Sequence, residues 1–549
     1  MTSSKNTELS ITGMTCDDCA THVTKALDSA GLENVSVSWR DGRATFLWPS
    51  NVPEDQFRSS VATSGYGTGK LTILEDNAIS VTSNDFDYDL IIIGGGSAAF
   101  SAAIKATEAN FRVAIVEKGE IGGTCVNVGC VPSKALLKAG ELAWSVNHHP
   151  FNGLTTSSKP VDLENIVLQK NDLVTDLRQH KYIDLIGEYG FTLLHGLAQF
   201  VDEGTIEVDG KRLSAQRFII ATGGSPSTPP IPGLAESGYL TSTDALNLNY
   251  VPARIAVIGA NSIGLELGQF FLHVGSNITF IDAADSIAPF NEPEASQAIS
   301  EVLLEQGATI YTQATVSRVS STPESKELIV VHDGIETTLI VDEIIVATGR
   351  RPNTSGMGLD LAGVTLREGG SIQVDEHLQT SNEKIYAAGD VTGGPQFVYV
   401  AAYEGALCVD NALLGKSRSV DFTGLPRVTF TSPQIASAGI TEQQAISDGL
   451  EIKTSIIPLT AVPRALVNRD TKGMVKLVAE KSTGRLIGAT IVADGAGDVI
   501  QSAVLAIKYG ISVEELAMTF HPYLTMAESI KLAAQTFDRD VSKLSCCAA

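Results

Sequence analysis

The strongest constraint on the fold is a pattern that occurs twice, at residues 88–119 and 253–282. Each copy reads as strand, glycine-rich turn, helix and second strand. Glycines in such a turn let the backbone approach a pyrophosphate at a helix N-terminus, and an acid ending the second strand binds ribose hydroxyls. The residues of the first copy assigned to these roles are Gly94, Gly96, Ala99 and Glu117. The first copy therefore predicts a dinucleotide-binding α/β domain.

The second copy predicts another dinucleotide site in the same chain. Gly259, Gly264 and Gly268 occupy its turn and packing positions, and Asp282 ends its second strand. Asn261 replaces the middle glycine, which departs from the usual pattern. We therefore expect two Rossmann-like domains, one inserted into the other.

Residues 122–134, GGTCVNVGCVPSK, contain Cys125 and Cys130 with four residues between them. Lys134 follows one helical turn beyond Cys130, where its charge could lie near a flavin ring. A close cysteine pair beside two dinucleotide sites indicates an electron relay, in which a nicotinamide nucleotide reduces a flavin and the flavin reduces the pair. The predicted cofactors are FAD and a nicotinamide donor.

A small N-terminal domain is predicted over residues 8–72, in the order βαββαβ of the ferredoxin-like fold. Its strand 8–14 leads into a loop that carries Cys16 and Cys19, and an amphipathic helix follows. Asp41-Gly42 is a strong hairpin signal. Two thiols at this spacing before a helix can bind one soft metal ion, because the helix N-terminus favours the thiolates. The sequence GMTCDDCA resembles the metal-binding loop of heavy-metal-associated domains.

The domain organisation follows from these patterns and from a change of composition near residue 424. We expect an α/β and α+β multidomain chain whose C-terminal part has an antiparallel sheet. The predicted ranges are 8–72 for the metal domain, 73–86 for a flexible linker, 87–245 and 376–423 for the FAD domain, 246–375 for the NAD(P) domain and 424–549 for the dimerisation domain with a Cys-Cys tail.

The net charge of −24 makes nucleic acid an unfavourable partner, because phosphates would be repelled. It indicates either a well-solvated surface or adaptation to high salt. No run of 18 apolar residues and no secretory signal is found, so we expect a cytoplasmic protein without a membrane span. The seven cysteines form three close pairs and the single Cys408, which lies in an apolar helical segment and is expected in the core.

Residues 87–549 resemble the flavin disulfide reductases of the glutathione reductase and lipoamide dehydrogenase type. The resemblance rests on GGTCVNVGCVPSK, on GDV at 389–391 and on TGRRPN at 348–353. It implies that Cys125 is the interchange thiol, that Cys130 is the charge-transfer thiol beside the flavin, and that Glu266 pairs with Lys134. It also implies a homodimer whose C-terminal domain completes the partner's active site. The other predicted flavin contacts are Gly119, Thr124, Lys134, Ala198, Asp390 and Val398, and those of the nicotinamide nucleotide are Gly259, Gly264, Asp282 and Gly349.

The C-terminus departs from the usual disulfide reductases. His521-Pro522 is present, but Met526 stands where the family's glutamate falls, and Cys546-Cys547 end the chain. With the N-terminal CxxC loop, these features resemble the mercury-reducing branch of the family, for which Tyr182 and Tyr523 match the tyrosines near the metal.

Hg(II), a soft ion that prefers two thiolates, is then the expected substrate. It would pass from Cys16/Cys19 to Cys546/Cys547 and on to Cys125/Cys130 of the partner. His521 is either a relic of the acid–base pair or a residue that still acts in the site.

Two other functions stay open at this point. One is a thiol or disulfide reductase whose C-terminal cysteines carry electrons to a protein, and the other is a metal-binding chaperone with a vestigial reductase. The nucleotide donor is also open. The resemblance favours NADPH, whereas Asp282 and Asp285, with no arginine beside them, suit the ribose of NADH.

Overall fold

The computed structural model describes residues 4–15, 17–39, 42–73 and 86–539. The chain divides into two compact units, residues 1–85 and 86–549. Several predictions lie outside the described residues: the first metal-loop thiol, the first residue of the hairpin turn, most of the linker, and the terminal pair. These residues are Cys16, Asp41, 74–85, Cys546 and Cys547.

The first unit has the predicted order βαββαβ. Its elements are β1 (Ser4–Thr12), α1 (Asp17–Ser29), β2 (Glu33–Ser38), β3 (Arg43–Pro49), α2 (Glu54–Thr63) and β4 (Gly67–Ile73). The antiparallel sheet has the order β2-β3-β1-β4, and Phe46 and Phe57 meet edge to face in its core. The prediction that Cys19 lies in a loop is wrong, because α1 begins at Asp17 and holds Cys19 in its first turn. The exact start of a helix carries no periodic signal in the sequence, so this earlier boundary was not predicted.

The second unit begins with an α/β domain built on a parallel sheet. The strands β7-β6-β5-β10 pair in parallel, and β8 and β9 extend the sheet antiparallel. The strands are β5 (Tyr88–Ile93), β6 (Val113–Glu117), β7 (Thr192–His195), β8 (Ala198–Asp202), β9 (Thr205–Val208) and β10 (Lys211–Ile220). The helices are α3 (Ser97–Glu108), α4 (Gly123–Asn127), α5 (Cys130–Asn147), α6 (Leu163–Arg178) and α7 (Asp184–Tyr189), with a π-helical turn at Gln179–Ile183. Strands without polar alternation, such as 90–93, are buried on both faces, as helices on both sides of a parallel sheet require.

A second parallel sheet, β14-β13-β12-β18, forms the inserted domain. A two-stranded antiparallel link of β11 (Gly224–Pro226) and β19 (Arg350–Pro352) joins it to the first. Its elements are α8 (Ser242–Ala245), β12 (Arg254–Ile258), α9 (Ser262–Val274), β13 (Asn277–Ile281), α10 (Pro293–Glu305), β14 (Thr309–Tyr311), β15 (Ala314–Ser321), β16 (Lys326–His332), β17 (Ile335–Val341) and β18 (Glu343–Val346).

The chain then returns to the first domain. Strand β20 (Ile385–Ala387) pairs in parallel with β10, and helix α11 (Val398–Ala412) packs beside α3. Cys408 on α11 is fully buried, as its apolar sequence context predicted.

The packing places the borders of the inserted domain differently from the prediction of 246–375. Leu234 and Ala245 already belong to its cores, whereas Met357 and Ile372 pack in the first domain with Phe218. The Phe200 N–H also donates to the Met357 carbonyl at 2.8 Å. The chain therefore returns to the first domain about twenty residues before residue 376. The sequence did not predict this, because the segment after β19 is an irregular loop without periodicity.

The third domain holds a five-stranded antiparallel sheet of order β21-β22-β25-β24-β23. Its strands are β21 (Pro426–Thr429), β22 (Gln434–Gly439), β23 (Ile452–Pro458), β24 (Met474–Glu480) and β25 (Leu486–Ala493). Its helices are α12 (Glu442–Ser447), α13 (Pro463–Asn468), α14 (Ala496–Lys508), α15 (Val513–Met518) and α16 (Glu528–Gln535).

Helix α9 ties the inserted domain to the third domain through one polar face. Ser262, Glu266 and Gln269, at positions i, i+4 and i+7, all face the end of β21 and the residues that follow it. The contacts are Ser262 Oγ to Thr429 Oγ1 at 2.7 Å, Phe430 N to Glu266 Oε1 at 2.8 Å, and Ser432 N to Gln269 Oε1 at 2.7 Å. These bonds fix the walls of the site described next.

Candidate active site

The cysteine loop lies directly against the glycine turn of the first domain. Cys125 is in the short helix α4, and Cys130 is the first residue of the 18-residue helix α5. A Cβ atom on Gly123 would come within 2.6 Å of the Gly96 Cα, so only glycine permits this approach. The sequence GGTC therefore holds the first thiol next to the turn that opens helix α3.

The two thiols differ strongly in acidity. A hydrogen bond from the Cys125 thiol, aided by the Lys134 ammonium, lowers the pKa of Cys130 to about 6 although burial opposes it. Cys130 also lies at a helix N-terminus, which favours a thiolate. Donating that hydrogen bond, together with burial, raises the pKa of Cys125 well above the ordinary value of a thiol. At neutral pH the reduced pair is thus a Cys130 thiolate beside a Cys125 thiol.

Lys134 and Glu266 form an ion pair between α5 and α9, with 2.6 Å from Nζ to Oε2. The other carboxylate oxygen of Glu266 accepts the Phe430 N–H. The Lys134 ammonium also lies 4.6 Å from the centre of the Phe430 ring, within range of a cation–π contact. Three domains therefore meet around one buried carboxylate.

A cavity of about 520 Å³ contains both cysteines, and a second of about 230 Å³ lies on the other side of the glycine turn. The first is lined by Gly96, Thr124, Lys134, Glu266, Asp390 and Val398, and the second by Gly94, Glu117 and Ala198, with other residues. A largely apolar cavity against two thiols, followed by a more polar one, matches an elongated dinucleotide with a flat redox ring at one end.

The turn between the two cavities has the features of a pyrophosphate cradle. Gly94 has a φ of +113°, and a Cβ there would lie 2.3 Å from the Ala221 carbonyl oxygen. Helix α3 begins after Gly96 without an acid in its first turn, so its N–H groups and dipole are available to an anion. Glu117 accepts the Gly95 and Gly119 N–H groups, both at 2.6 Å, which fixes its carboxylate beside the second cavity. These residues fit FAD.

Asp390, in the GDV turn, also lines the first cavity. Burial raises its pKa although Arg350, 3.4 Å away, acts against this. Behind it, the buried Glu404 accepts the Gly389 N–H at 2.6 Å, and burial raises the pKa of Glu404 to about 7. The backbone of the GDV turn is therefore held by a side chain of α11.

The predicted nucleotide residues of the inserted domain lie at the carboxyl edge of its sheet, where parallel sheets bind ligands. Gly259 follows β12, Asn261 caps α9, and Gly264 is in the first turn of that helix. The Asp282 carboxylate accepts the Ala260 N–H at 2.6 Å. Gly349 lies apart from these, at the link to the first domain, where its carbonyl accepts the Ser227 N–H.

The two predicted tyrosines lie in different places. Tyr182 is in the π-helical turn and packs edge to face on Phe100. Its hydroxyl lies 3.5 Å from the Oγ of Ser97, the first residue of α3. Burial is the main cause that raises its pKa, and both site thiols add to it. Tyr523 is in the third domain and is 57% exposed. His521 is near it, hydrogen-bonded to the Thr519 carbonyl, and Met526 packs on the core of that domain.

Among the residues that line the cavity and that sequence reasoning missed are Arg350, Tyr399 and Phe430. Arg350 was within the quoted TGRRPN motif, which was a usable signal. Tyr399 donates to the Pro426 carbonyl at 2.5 Å, and burial raises its pKa to about 12. Tyr399 directly follows the predicted Val398, whereas no local pattern marks Phe430, which reaches the cavity from an element distant in sequence.

Of the two thiols in the predicted metal loop of the N-terminal unit, the structure describes Cys19. Cys19 Sγ lies 3.8 Å from Thr15 Oγ1 in the first turn of α1. Among the described residues, no group of three or more potential metal ligands is found, which does not test a two-thiol site that includes Cys16.

The fold and site define a flavin-dependent reductase with a dithiol centre, and the comparisons agree. Residues 88–405 match the family model "Pyridine nucleotide-disulphide oxidoreductase", and residues 425–534 match the dimerisation domain of the same group. The chain belongs to the pyridine nucleotide-disulphide oxidoreductase family. Its cofactors are FAD and a nicotinamide nucleotide. Within the part of the chain that the structure describes, no helix combines the length and apolarity needed to cross a bilayer.

The curated relatives are more specific. The chain is 50% identical to "Mercuric reductase" of Staphylococcus aureus, with 98% of this chain and 99% of that protein covered. It is 48% identical to "Mercuric reductase" of Lysinibacillus sphaericus, over 98% and 99%. Among solved structures, the HOCl-induced flavoprotein disulfide reductase RclA from Escherichia coli superposes with a TM-score of 0.74 at 29% identity, covering 82% of this chain and all of that one.

Proposed function

We propose that this chain is a mercury(II) reductase, which uses NAD(P)H, FAD and the Cys125–Cys130 pair to reduce Hg(II) to Hg(0). The observation that carries the proposal is a reduced dithiol, one member already a thiolate, at the wall of a flavin-sized cavity. The full-length likeness to proteins named mercuric reductase supports it.

The thiols bind the metal in an order set by their acidity. Cys130, with a pKa of about 6, offers its sulfur as a thiolate at neutral pH, whereas Cys125 still holds its proton. Bonding of Hg(II) to Cys125 Sγ releases that proton, because a metal-bound sulfur is a thiolate. Hg(II) is then held by two thiolates, the ligation that a soft ion prefers.

FAD, when bound, takes a hydride from the nicotinamide nucleotide and supplies two electrons to the site. The chain's own residues prepare for this. The Gly94–Gly96 turn and helix α3 would hold the pyrophosphate, Glu117 would hold the ribose, and the Lys134 ammonium lies at the end of the cavity where the ring would be. Reduction of Hg(II) by two electrons frees Hg(0) and returns both sulfurs as thiolates.

We further propose a homodimer in which the partner's third domain completes the site. Phe520 and Met518 are 97% and 77% exposed, and Tyr523 follows them on the same surface segment. Large apolar side chains so exposed indicate a surface that another chain covers. Cys546 and Cys547 would then deliver Hg(II) to Cys125 and Cys130 of the partner. Sedimentation of a Phe520→Glu variant tests this proposal. We expect the variant to be monomeric.

The N-terminal unit is proposed to capture Hg(II) through Cys16 and Cys19 before the transfer. Its βαββαβ order and the thiol in the first turn of α1 support this role. Such a relay of thiols keeps the ion bound throughout, which suits a cytoplasmic enzyme surrounded by other thiols.

The decisive experiment is Hg(II)-dependent oxidation of NAD(P)H with an excess of low-molecular-weight thiol, together with measurement of released Hg(0). We expect Hg(II) to stimulate oxidation, and Cys125→Ala or Cys130→Ala to abolish it. Stimulation by a disulfide, with none by Hg(II), would refute the proposal and favour a disulfide reductase. Hg(II) binding without any NAD(P)H oxidation would instead favour a metal-binding chaperone.

A further inference from the structure

We propose that NADH is the preferred donor of this chain and that the carboxylate of Asp282 sets the preference. The inference rests on the proposed function, since it concerns the nucleotide that feeds the same site. The relevant edge is the carboxyl end of β13, where the second strand of a dinucleotide-binding unit meets the adenosine ribose.

The backbone fixes the Asp282 carboxylate in place. Its Oδ2 accepts the Ala260 N–H of the glycine turn at 2.6 Å, and its Oδ1 accepts the Ala284 N–H at 2.8 Å. A carboxylate held at both oxygens cannot swing away to admit another anion. Its remaining lone pairs stay available to two ribose hydroxyls.

The first domain contains the same device for a ribose that carries no 2′-phosphate. Glu117 accepts the Gly95 N–H at 2.6 Å and the Gly119 N–H at 2.6 Å. In both domains the acid therefore bridges the glycine turn and the N–H two residues beyond itself. FAD has free ribose hydroxyls, so the copy at Asp282 is built for the unphosphorylated ribose of NADH.

The stretch of sequence that carries Asp282 supplies no cation to a 2′-phosphate. Residues 274–317 contain no Lys, Arg or His, and this stretch includes β13, its neighbour β14 and helix α10. The acids in the same stretch are Asp282, Asp285, Glu292, Glu294, Glu301 and Glu305. Ala283, next to the carboxylate, is exposed and apolar. A phosphate dianion would thus meet a fixed negative charge that no cation of this stretch compensates, which opposes binding.

The test separates the donor step from the mercury step. The purified holoenzyme is mixed with NADH or NADPH without oxygen or Hg(II), and the bleaching of the flavin is followed in time. Equilibrium binding of NAD⁺ and NADP⁺ is measured beside it. We expect NADH to give the larger ratio of rate to apparent dissociation constant, by about tenfold or more.

Variants assign the preference to the residue. Asp282→Ser combined with Ala283→Arg should shift the ratio toward NADPH at least about tenfold, because the arginine can pair with the 2′-phosphate from an exposed position. Asp282→Ser alone should raise NADPH use without adding a new contact. Asp360→Ala, at an exposed aspartate of the first domain, is the matched control and should leave the ratio unchanged.

Faster bleaching by NADPH than by NADH in the unaltered protein would overturn the inference. An unchanged ratio in both Asp282 variants would overturn the role of this carboxylate. If NADH bleaches the flavin but Hg(II) does not reoxidise it, the mercury proposal fails while this inference stands.

Discussion

Lys134 Nζ and Glu266 Oε2 lie 2.6 Å apart. This ion pair joins helix α5, which begins at Cys130, to helix α9, which begins after the glycine turn of the inserted domain. Glu266 is almost fully buried, whereas the lysine is one-third exposed. The two charges act on Cys130 in opposite directions, the ammonium lowering the thiol pKa and the carboxylate raising it. The acidity of the thiol therefore depends in part on a contact between two domains.

Lys134→Gln should raise the pKa of Cys130 from about 6 toward its ordinary value, because the attraction of the ammonium is lost. The measurement is a pH titration of thiolate absorbance in the reduced enzyme. Lys138→Gln, on the same helix but 76% exposed and paired with Glu141, is the control and should leave the titration in place. An equal shift in both variants would contradict the assignment to Lys134.

Cys125→Ala should raise the pKa of Cys130, since the hydrogen bond from the Cys125 thiol is the largest cause of its depression. Cys125→Ser keeps a donor and should preserve part of the effect. At pH 7, alkylation of Cys130 should slow about tenfold or more in the alanine variant and less in the serine variant. Mass spectrometry of the Cys130 peptide gives the rate, and identical rates in the two variants would show that the hydrogen bond is unimportant.

Glu404→Gln should change the pH dependence of stability. The pKa of Glu404 is about 7 in the folded state, against 4.5 for an ordinary glutamate. The protonated carboxyl therefore contributes to the free energy of unfolding fully below pH 4.5, and this contribution is lost as the pH rises through 7. Glutamine keeps an acceptor for the Gly389 N–H without the buried charge near Asp390. The variant should therefore gain up to about 3 kcal/mol over the unaltered protein at pH 8, and little at pH 4.5. Urea unfolding at both pH values measures this, with Glu324→Gln in an exposed loop as the control.

Lys476→Met should strongly destabilise the contact between the inserted and third domains. The buried ammonium lies 2.9 Å from Glu292, 2.8 Å from Glu294 and 2.7 Å from Glu442. Its removal leaves unpaired carboxylates and should cost about 3–5 kcal/mol of unfolding free energy. Lys472→Met removes an exposed lysine paired with Glu305 between the same two domains, and should have little effect because water screens that pair. Equal losses in the two variants would argue against a special role of the buried cluster.

The sequence sufficed for the parts of the fold that follow from local patterns. Both glycine turns, the strands that flank them and the position of Cys130 at a helix start are set by residues close together in the chain. The burial of Cys408 likewise followed from its apolar helix. The fold class could be predicted for the same reason, since two dinucleotide-binding units joined by a link restrict the possible topologies to a few.

Long-range packing was not accessible. The sequence has no periodic signal that places Met357 and Ile372 back in the first domain, and none that brings the Phe430 ring over Lys134. The start of α1 was placed too late, because the hydrophobic periodicity begins only after Cys19 whereas the helix already includes it. Such contacts depend on where distant elements meet, which no short window of residues records.

The burial of Cys408 has a consequence for the survival of the protein. This sulfur is 0% exposed on α11, and burial raises its pKa well above the ordinary value of a thiol. A protein that gathers a thiol poison must not be poisoned by it, and a sulfur that is neither reachable nor ionised is immune. Of the thiols described in residues 86–539, only those of the site are thus open to attack, so within this range Hg(II) binds where it can be reduced.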